Sequence, residues 1–306
     1  MATAKMDATA PRRDWRRPLR DDFDGDNFSP EGGLYYRKNF EQGAGRIAFQ
    51  KDVRRSGGGA LKLSVRPIVS DDDDHSERAE IWERTELRVP NDEGIWYGFA
   101  VKFADPIPQD DHRYLIAQWK REILPGAPGD FSPFLALRLR NGKLYATVET
   151  NHAAPAGTAP RQGEPTVPVF MRPHKNQMRA LVATDPTWIE ADSQLFSERT
   201  NALTITDHGN SLPCPSSGWI EFAIFTRPGP RGDGHIEIIA NGRPIVTVKG
   251  RIGLEDPWLG GRQYFKFGPY RAAHEGEWTL YYDYFRRSPR LEDVLPEGMA
   301  RMTARP

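Results

Sequence analysis

Residues 263–271, Gln-Tyr-Phe-Lys-Phe-Gly-Pro-Tyr-Arg, alternate two kinds of side chain. In an extended chain Phe265, Phe267 and Pro269 take one face, and Tyr264, Lys266, Gly268 and Tyr270 take the other. A phenol can give or take a proton, although its ordinary pKa is about 10. A nearby ammonium favours the phenolate, so the spacing of Lys266 and Tyr270 suits them to cooperate in proton transfer. Two other stretches put unexpected polar groups on one face. In Glu-Arg-Ala-Glu-Ile-Trp-Glu-Arg-Thr-Glu-Leu-Arg-Val, residues 77–89, an unbroken strand would align Arg78, Glu80, Trp82, Arg84, Glu86 and Arg88. Ala79, Ile81, Thr85, Leu87 and Val89 would face the core. In Tyr-Leu-Ile-Ala-Gln-Trp-Lys, residues 114–120, Tyr114, Ile116, Gln118 and Lys120 oppose Leu115, Ala117 and Trp119. Any one of these faces alone reads as a solvated surface with cross-strand ion pairs. The recurrence of Gln, Lys and Tyr over three strands points instead to a site.

The elements that must position these groups are strands. Leu61, Leu63 and Val65 alternate with polar partners, as do Tyr97, Phe99, Val101 and Phe103. Residues 134–150 and 234–250 read as hairpins around Asn141-Gly142 and Asn241-Gly242, pairs that tolerate positive φ. Residues 278–287 read as a last strand. The spacing predicts an all-β fold, a single antiparallel β-sandwich whose concave face is a groove. A single domain is expected over residues 21–290, between tails at 1–20 and 291–306. Residues 151–217, rich in Pro, Ala, Asn and Thr, read as a long irregular insertion that forms a wall or lid of the groove.

Composition narrows the function. The 306 residues hold 42 Lys and Arg against 42 Asp and Glu, a balance that argues against bulk nucleic-acid binding. With Cys214 as the one cysteine, no intrachain disulfide can form. No apolar run reaches the length of a membrane span. The N-terminal segment has no apolar core of a secretory signal, so the sequence leaves the compartment open. The 28 Gly, 26 Pro and 8 Trp suit short strands, turns and sugar-binding surfaces.

In order, the motifs Arg-x-Glu-Ile, Trp-Tyr-Gly-Phe, Ala-Gln-Trp-Lys, Asn-Gly and Tyr-Phe-Lys-x-Gly-x-Tyr-Arg resemble the polysaccharide lyases of jelly-roll fold, especially the heparin-lyase-I-like and glucuronan-lyase-like enzymes. The resemblance spans residues 34–287. It implies β-elimination on a uronic-acid chain, with β-1,4-glucuronan as the first candidate, since neutral net charge disfavours a highly sulfated polymer. It assigns the substrate carboxylate to an Arg-x-Glu arginine, a role open to Arg78 or Arg84, with Arg78 favoured because it follows a polar loop. Gln118, Lys266 and Tyr270 match the family's Gln, Lys and Tyr; Lys120 stands where many relatives carry histidine. The implied catalytic set is therefore Tyr270, Lys266, Gln118, Arg78 and Lys120. Glu80, Arg84, Tyr264, Arg271, His152 and Trp82 are expected to contact the sugar chain, with Gly268 leaving room for a ring. A monomer acting on an acidic polysaccharide, without a required cofactor, is implied.

Other residues offer weaker alternatives. His75, His112 and His152 have the pKa range of a base, but each reads more simply as a surface residue; His174, His208, His235 and His274 read as loop residues. The acidic run 71–74 has the oxygen donors of a calcium site but reads more simply as a solvated loop. Trp82, Trp96, Trp119 and Trp258 are candidates to stack on sugars, with Trp96 and Trp119 equally suited to the core. A non-catalytic carbohydrate-binding jelly roll is one rival reading. A glycoside hydrolase using Glu80 and Glu86 is the other, since two carboxylates are its minimum.

Overall fold

The alternating stretches fold into two antiparallel sheets packed face to face. The structure is a computed structural model and describes residues 14–37, 43–68, 75–129, 131–150, 169–174 and 177–295. One sheet has nine strands. It runs β15 (Leu203–Asp207), β18 (Arg243–Ile252), β17 (Gly229–Ala240), β16 (Trp219–Arg227), β8 (Ile95–Phe103), β20 (Trp278–Ser288), β4 (Ala60–Val65) and β3 (Gly45–Gln50), and β1 (Leu19–Asp21) also pairs with β20. The other has eleven. It runs β14 (Glu198–Thr200), β12 (Val169–His174), β13 (Gln177–Thr184), β11 (Lys143–Thr150), β10 (Leu135–Arg140), β9 (Tyr114–Ile123), β19 (Leu259–Ala272), β6 (Ile81–Glu83) and β2 (Leu34–Tyr36). The short strands β5 (Ser76–Arg78) and β7 (Val89–Pro90) pair with β19.

Both expected hairpins form. Asn141 and Gly142 have φ of 50° and 71°, and Asn241 and Gly242 have 48° and 72°, the left-handed pair that matches strand twist. The core lies between the sheets and is richest in aromatic rings beneath β19. Phe265 lies 4.6 Å from Trp119 and 5.0 Å from Tyr97 between ring centres, and Phe267 lies 4.9 Å from Tyr282. These rings fix which face of β19 points inward. Trp96 and Trp119 are buried, and Trp258 is exposed.

A buried ion pair ties the two sheets. Arg287 Nη1 donates to Glu83 Oε1 at 2.6 Å, with both side chains fully enclosed. Glu83 Oε2 accepts the Phe265 N–H at 2.5 Å and the Tyr97 hydroxyl at 3.2 Å. Burial, then the Glu83 charge, push the Tyr97 phenol well above its ordinary range.

Three expected boundaries change. Residues 77–89 are not one strand: β5 and β6 are separate, and a turn of 3-10 helix spans Thr85–Leu87. The middle of the chain is not irregular throughout, because β12, β13, β14, β15 and the short helix α1 (Glu190–Ser193) lie within it; residues 151–168 are outside the described residues. Neither tail is wholly loose. β1 begins at Leu19, and Val294 is fully buried against Trp96, Ala223 and Ile239. Among the described residues, no helix is long and apolar enough to cross a membrane.

Candidate active site

β19 is the spine of the site, with β9 paired along one side and β5, β6 and β7 along the other. Register brings the separate motifs together. Lys266 stands opposite Gln118 and Trp82, Tyr264 opposite Lys120, and Tyr270 opposite Leu115 and Arg78.

Two irregularities set the faces. The pairing with β9 slips between Phe267 and Tyr270, where Gly268 adopts a φ of 125° and Pro269 accepts the Ala79 N–H at 2.9 Å. A Cβ on Gly268 would stand 2.1 Å from the Ala79 carbonyl oxygen. The glycine therefore lets the Ala79–Glu80 backbone press against β19; it does not hold open a space for a sugar ring. In β9, Leu137 pairs with Ala117 but Arg138 pairs with Leu115. Ile116 and Ala117 consequently both turn to the core, Tyr114 follows, and Leu115 joins Gln118 and Lys120 on the open face. Strict alternation had placed Tyr114 and Ile116 with the polar residues.

The result is an open cavity lined by all five implied catalytic residues, Arg78, Gln118, Lys120, Lys266 and Tyr270. A larger hollow lies between His208, His235 and Lys249 on the other sheet, away from this convergence. Arg113, Arg138 and Arg179 also line the cleft, together with Phe131, Ser132 and Pro133. Among the described residues, its wall thus carries six cationic side chains and no carboxylate. Arg113, Arg138 and Arg179 do not stand among the residues that strand alternation singles out. Arg138 alternates with Arg140 on β10, which was a local signal. Arg179 lies on β13, and nothing local shows that its Nε donates to Glu149 Oε1 at 2.6 Å.

Glu80 organises the floor. It is 1 % exposed, does not line the cavity, and accepts from the Gln118 amide and from Lys266 Nζ, the latter at 3.0 Å. Arg78 Nη1 lies 3.7 Å away. The expectation that Glu80 touches the sugar is corrected: it holds two residues that face the cavity. Lys266 also lies 4.2 Å above the Trp82 ring centre. Burial lowers the Lys266 ammonium to about 8; the Glu80 charge opposes this, and Lys120 and Arg78 add to it.

Tyr270 is half-buried. Its hydroxyl is 3.3 Å from Ser76 Oγ, which accepts from Arg113 Nη2 at 2.9 Å. The guanidinium carbons of Arg78 and Arg113 lie 4.2 and 5.1 Å from its ring centre.

Other expected contacts lie elsewhere. Arg84 is exposed at the start of the 3-10 turn, outside the cavity, so of the two Arg-x-Glu copies only Arg78 reaches it. Arg271 is buried, donating to Glu77 Oε2 at 2.5 Å and to the carbonyl oxygens of His274 and Gly276, and does not line the cavity. Trp82 and Tyr264 stack on each other at 5.7 Å and are nearly enclosed, extending the floor rather than lining the cavity. His152 and the acidic run 71–74 lie outside the described residues. His75 is 3.7 Å from Glu77 and His235 lies on β17, neither at the cavity.

Comparison with known proteins gives the family and the fold. A family described as polysaccharide lyase matches residues 29–286. No curated protein matches the sequence. Among solved structures, the endo-β-1,4-glucuronan lyase from the fungus Trichoderma reesei is 16 % identical with a TM-score of 0.57, over 91 % of this chain and 98 % of that one. At that identity the likeness is one of fold. A family 7 alginate lyase, A1-II′, is 13 % identical with a TM-score of 0.41, over 78 % of this chain and 80 % of that one, too low a score to carry an argument.

Proposed function

The chain belongs to the polysaccharide lyase family, and from that premise we propose that it cleaves β-1,4-glucuronan by β-elimination in the cleft of Arg78, Gln118, Lys120, Lys266 and Tyr270. The observation that carries this reading is the convergence of a phenol with six cationic side chains in one cavity of a molecule whose formal charge is zero.

The C5 proton of a uronate is hard to remove while the neighbouring carboxylate keeps its full charge. Arg78, Lys120 and Lys266 would neutralise that carboxylate, and the Gln118 side chain would bond to it, stabilising the enolate-like charge that develops. Tyr270 would take the C5 proton as phenolate. The electron pair then forms the C4–C5 double bond as the C4–oxygen bond breaks, and the phenol returns a proton to the leaving oxygen. Glu80 serves as a positioning residue through Gln118 and Lys266. Acid–base elimination of this kind needs no cofactor. Hydrolysis by Glu80 and Glu86 gains no support, because Glu80 is buried and paired and Glu86 belongs to the 3-10 turn outside the cavity.

The fold it shares with a glucuronan lyase supports β-1,4-glucuronan as the first polymer. The test is a panel of glucuronan, alginate and glycosaminoglycans, followed by the ultraviolet absorbance of the unsaturated product. Glucuronan should be cleaved fastest. Faster cleavage of another uronan overturns the polymer, and silence on every polymer overturns the whole reading.

A further inference from the structure

Outside the cleft, the connection between β8 and β9 and the turn between β19 and β20 bring Asp110, His112 and His274 together. Among the described residues this is the one set of three His, Cys, Asp or Glu side chains whose ligand atoms all lie within 4.8 Å of one another. His112 Nδ1 is 3.1 Å from Asp110 Oδ1, and His274 Nε2 is 3.4 Å from Asp110 Oδ2. Ligands around a tetrahedral ion with bonds of about 2.0–2.1 Å stand about 3.3 Å apart. Each imidazole stands at about that separation from one of the two Asp110 oxygens.

The tautomer of His274 adds an independent argument. Its Nδ1 lies 2.7 Å from the Glu275 carbonyl oxygen, which can only accept, so Nδ1 carries the N–H. In the neutral ring, Nε2 then turns a lone pair toward the Asp110 carboxylate, and a cation between the two relieves that opposition. An imidazole fixed through its far nitrogen by a carbonyl is how metal-ligating histidines are held. The carboxylate is oriented in a similar way, since Tyr114 donates its hydroxyl to Asp110 Oδ2 at 3.1 Å. The two imidazoles meet edge to face, 4.6 Å between centres, and so approach the carboxylate from different directions.

We propose that Asp110, His112 and His274 bind a divalent transition-metal ion, zinc by the donor set, with solvent completing the coordination. Two imidazole nitrogens and one carboxylate suit zinc; calcium and magnesium want oxygen throughout. The ion would clip the β8–β9 connection to the β19–β20 turn. Arg113, next to His112, is the residue that reaches Ser76 and stands over Tyr270. The clip would therefore brace one end of the cleft without entering it, and it does not depend on the polymer that is cleaved.

The experiment uses the untagged full chain, stripped with a chelator, and titrates zinc by calorimetry while following thermal unfolding. About one zinc per chain should bind and raise the melting temperature, while calcium at the same concentration should not. His274→Ala and His112→Ala should each weaken zinc binding at least about tenfold, since loss of even an outer-shell partner acts on that scale. His235→Ala should leave it unchanged. X-ray absorption of the zinc-loaded wild-type chain, which needs no variant to fold, should show imidazole ligation. An all-oxygen shell, an equal response to calcium, or zinc binding indifferent to both His112 and His274 overturns the proposal.

Discussion

Lys266 is 2 % exposed, yet it is among the residues that line the cleft. That position gives it opposite effects on stability and on activity. Its folded value is lowered from 10.5 to about 8, chiefly by burial. The unfolded chain therefore binds the extra proton more tightly between these values, so this group's penalty is fully present below pH 8 and is relieved as pH rises toward 10.5. Activity should run the other way, because the positive charge is lost in the same window. We expect kcat/KM on glucuronan to fall as pH rises through about 8, and Lys266→Arg, charged throughout, to lack that limb. Matching pH profiles of the two proteins would contradict a role for this charge. At this scale the sequence was readable in residue type but not in depth. Lys266, Gln118 and Tyr270 could be picked out by alternation. That Glu80 lies beneath them, paired twice, depends on partners from β9 and β19 that no local pattern reveals.

β19 and its neighbours show what alternation can and cannot deliver. The Asn-Gly hairpins were legible because both turn residues must tolerate positive φ, a local requirement. The run 77–89 looked like one strand because its period survives the break; the 3-10 turn then lifts Arg84 away and leaves Arg78 at the cavity. The doubled core residues Ile116 and Ala117 were invisible for the same reason, since a bulge is set by the paired strand. Gly268 is the position where this geometry can be tested. An alanine Cβ would lie 2.1 Å from Ala79 O, at a φ of 125°. Gly268→Ala should lower unfolding stability by about 1–3 kcal/mol or more and reduce activity further by pushing Arg78 and Glu80 out of register. Gly261→Ala is the control: a Cβ there meets nothing within 4 Å, and its effect should stay within about 0.5 kcal/mol. Urea midpoints of the two variants decide the matter, and equal midpoints would contradict the close approach.

Across the whole molecule, charge is balanced but unevenly placed. Forty-two basic residues meet forty-two acidic ones, yet six basic side chains face one cleft while Glu80 and Glu149 are buried behind it. Such a cleft concentrates an anionic chain without giving the protein a basic surface overall. The antiparallel sandwich followed from periodicity; the site followed only in part, because Arg179 joins it on β13 through pairings that no local pattern shows. In the proposed reaction this cleft breaks the chain by elimination with Tyr270 as the proton carrier. The most direct measurement is mass analysis of the fragments that wild type and Tyr270→Phe make from a glucuronan oligosaccharide. Elimination predicts fragments whose masses sum to that of the substrate, one of them unsaturated, with the rate lowered about 10²–10⁴-fold in the variant. Fragments that together exceed the substrate by one water, or an unimpaired Tyr270→Phe enzyme, would contradict it.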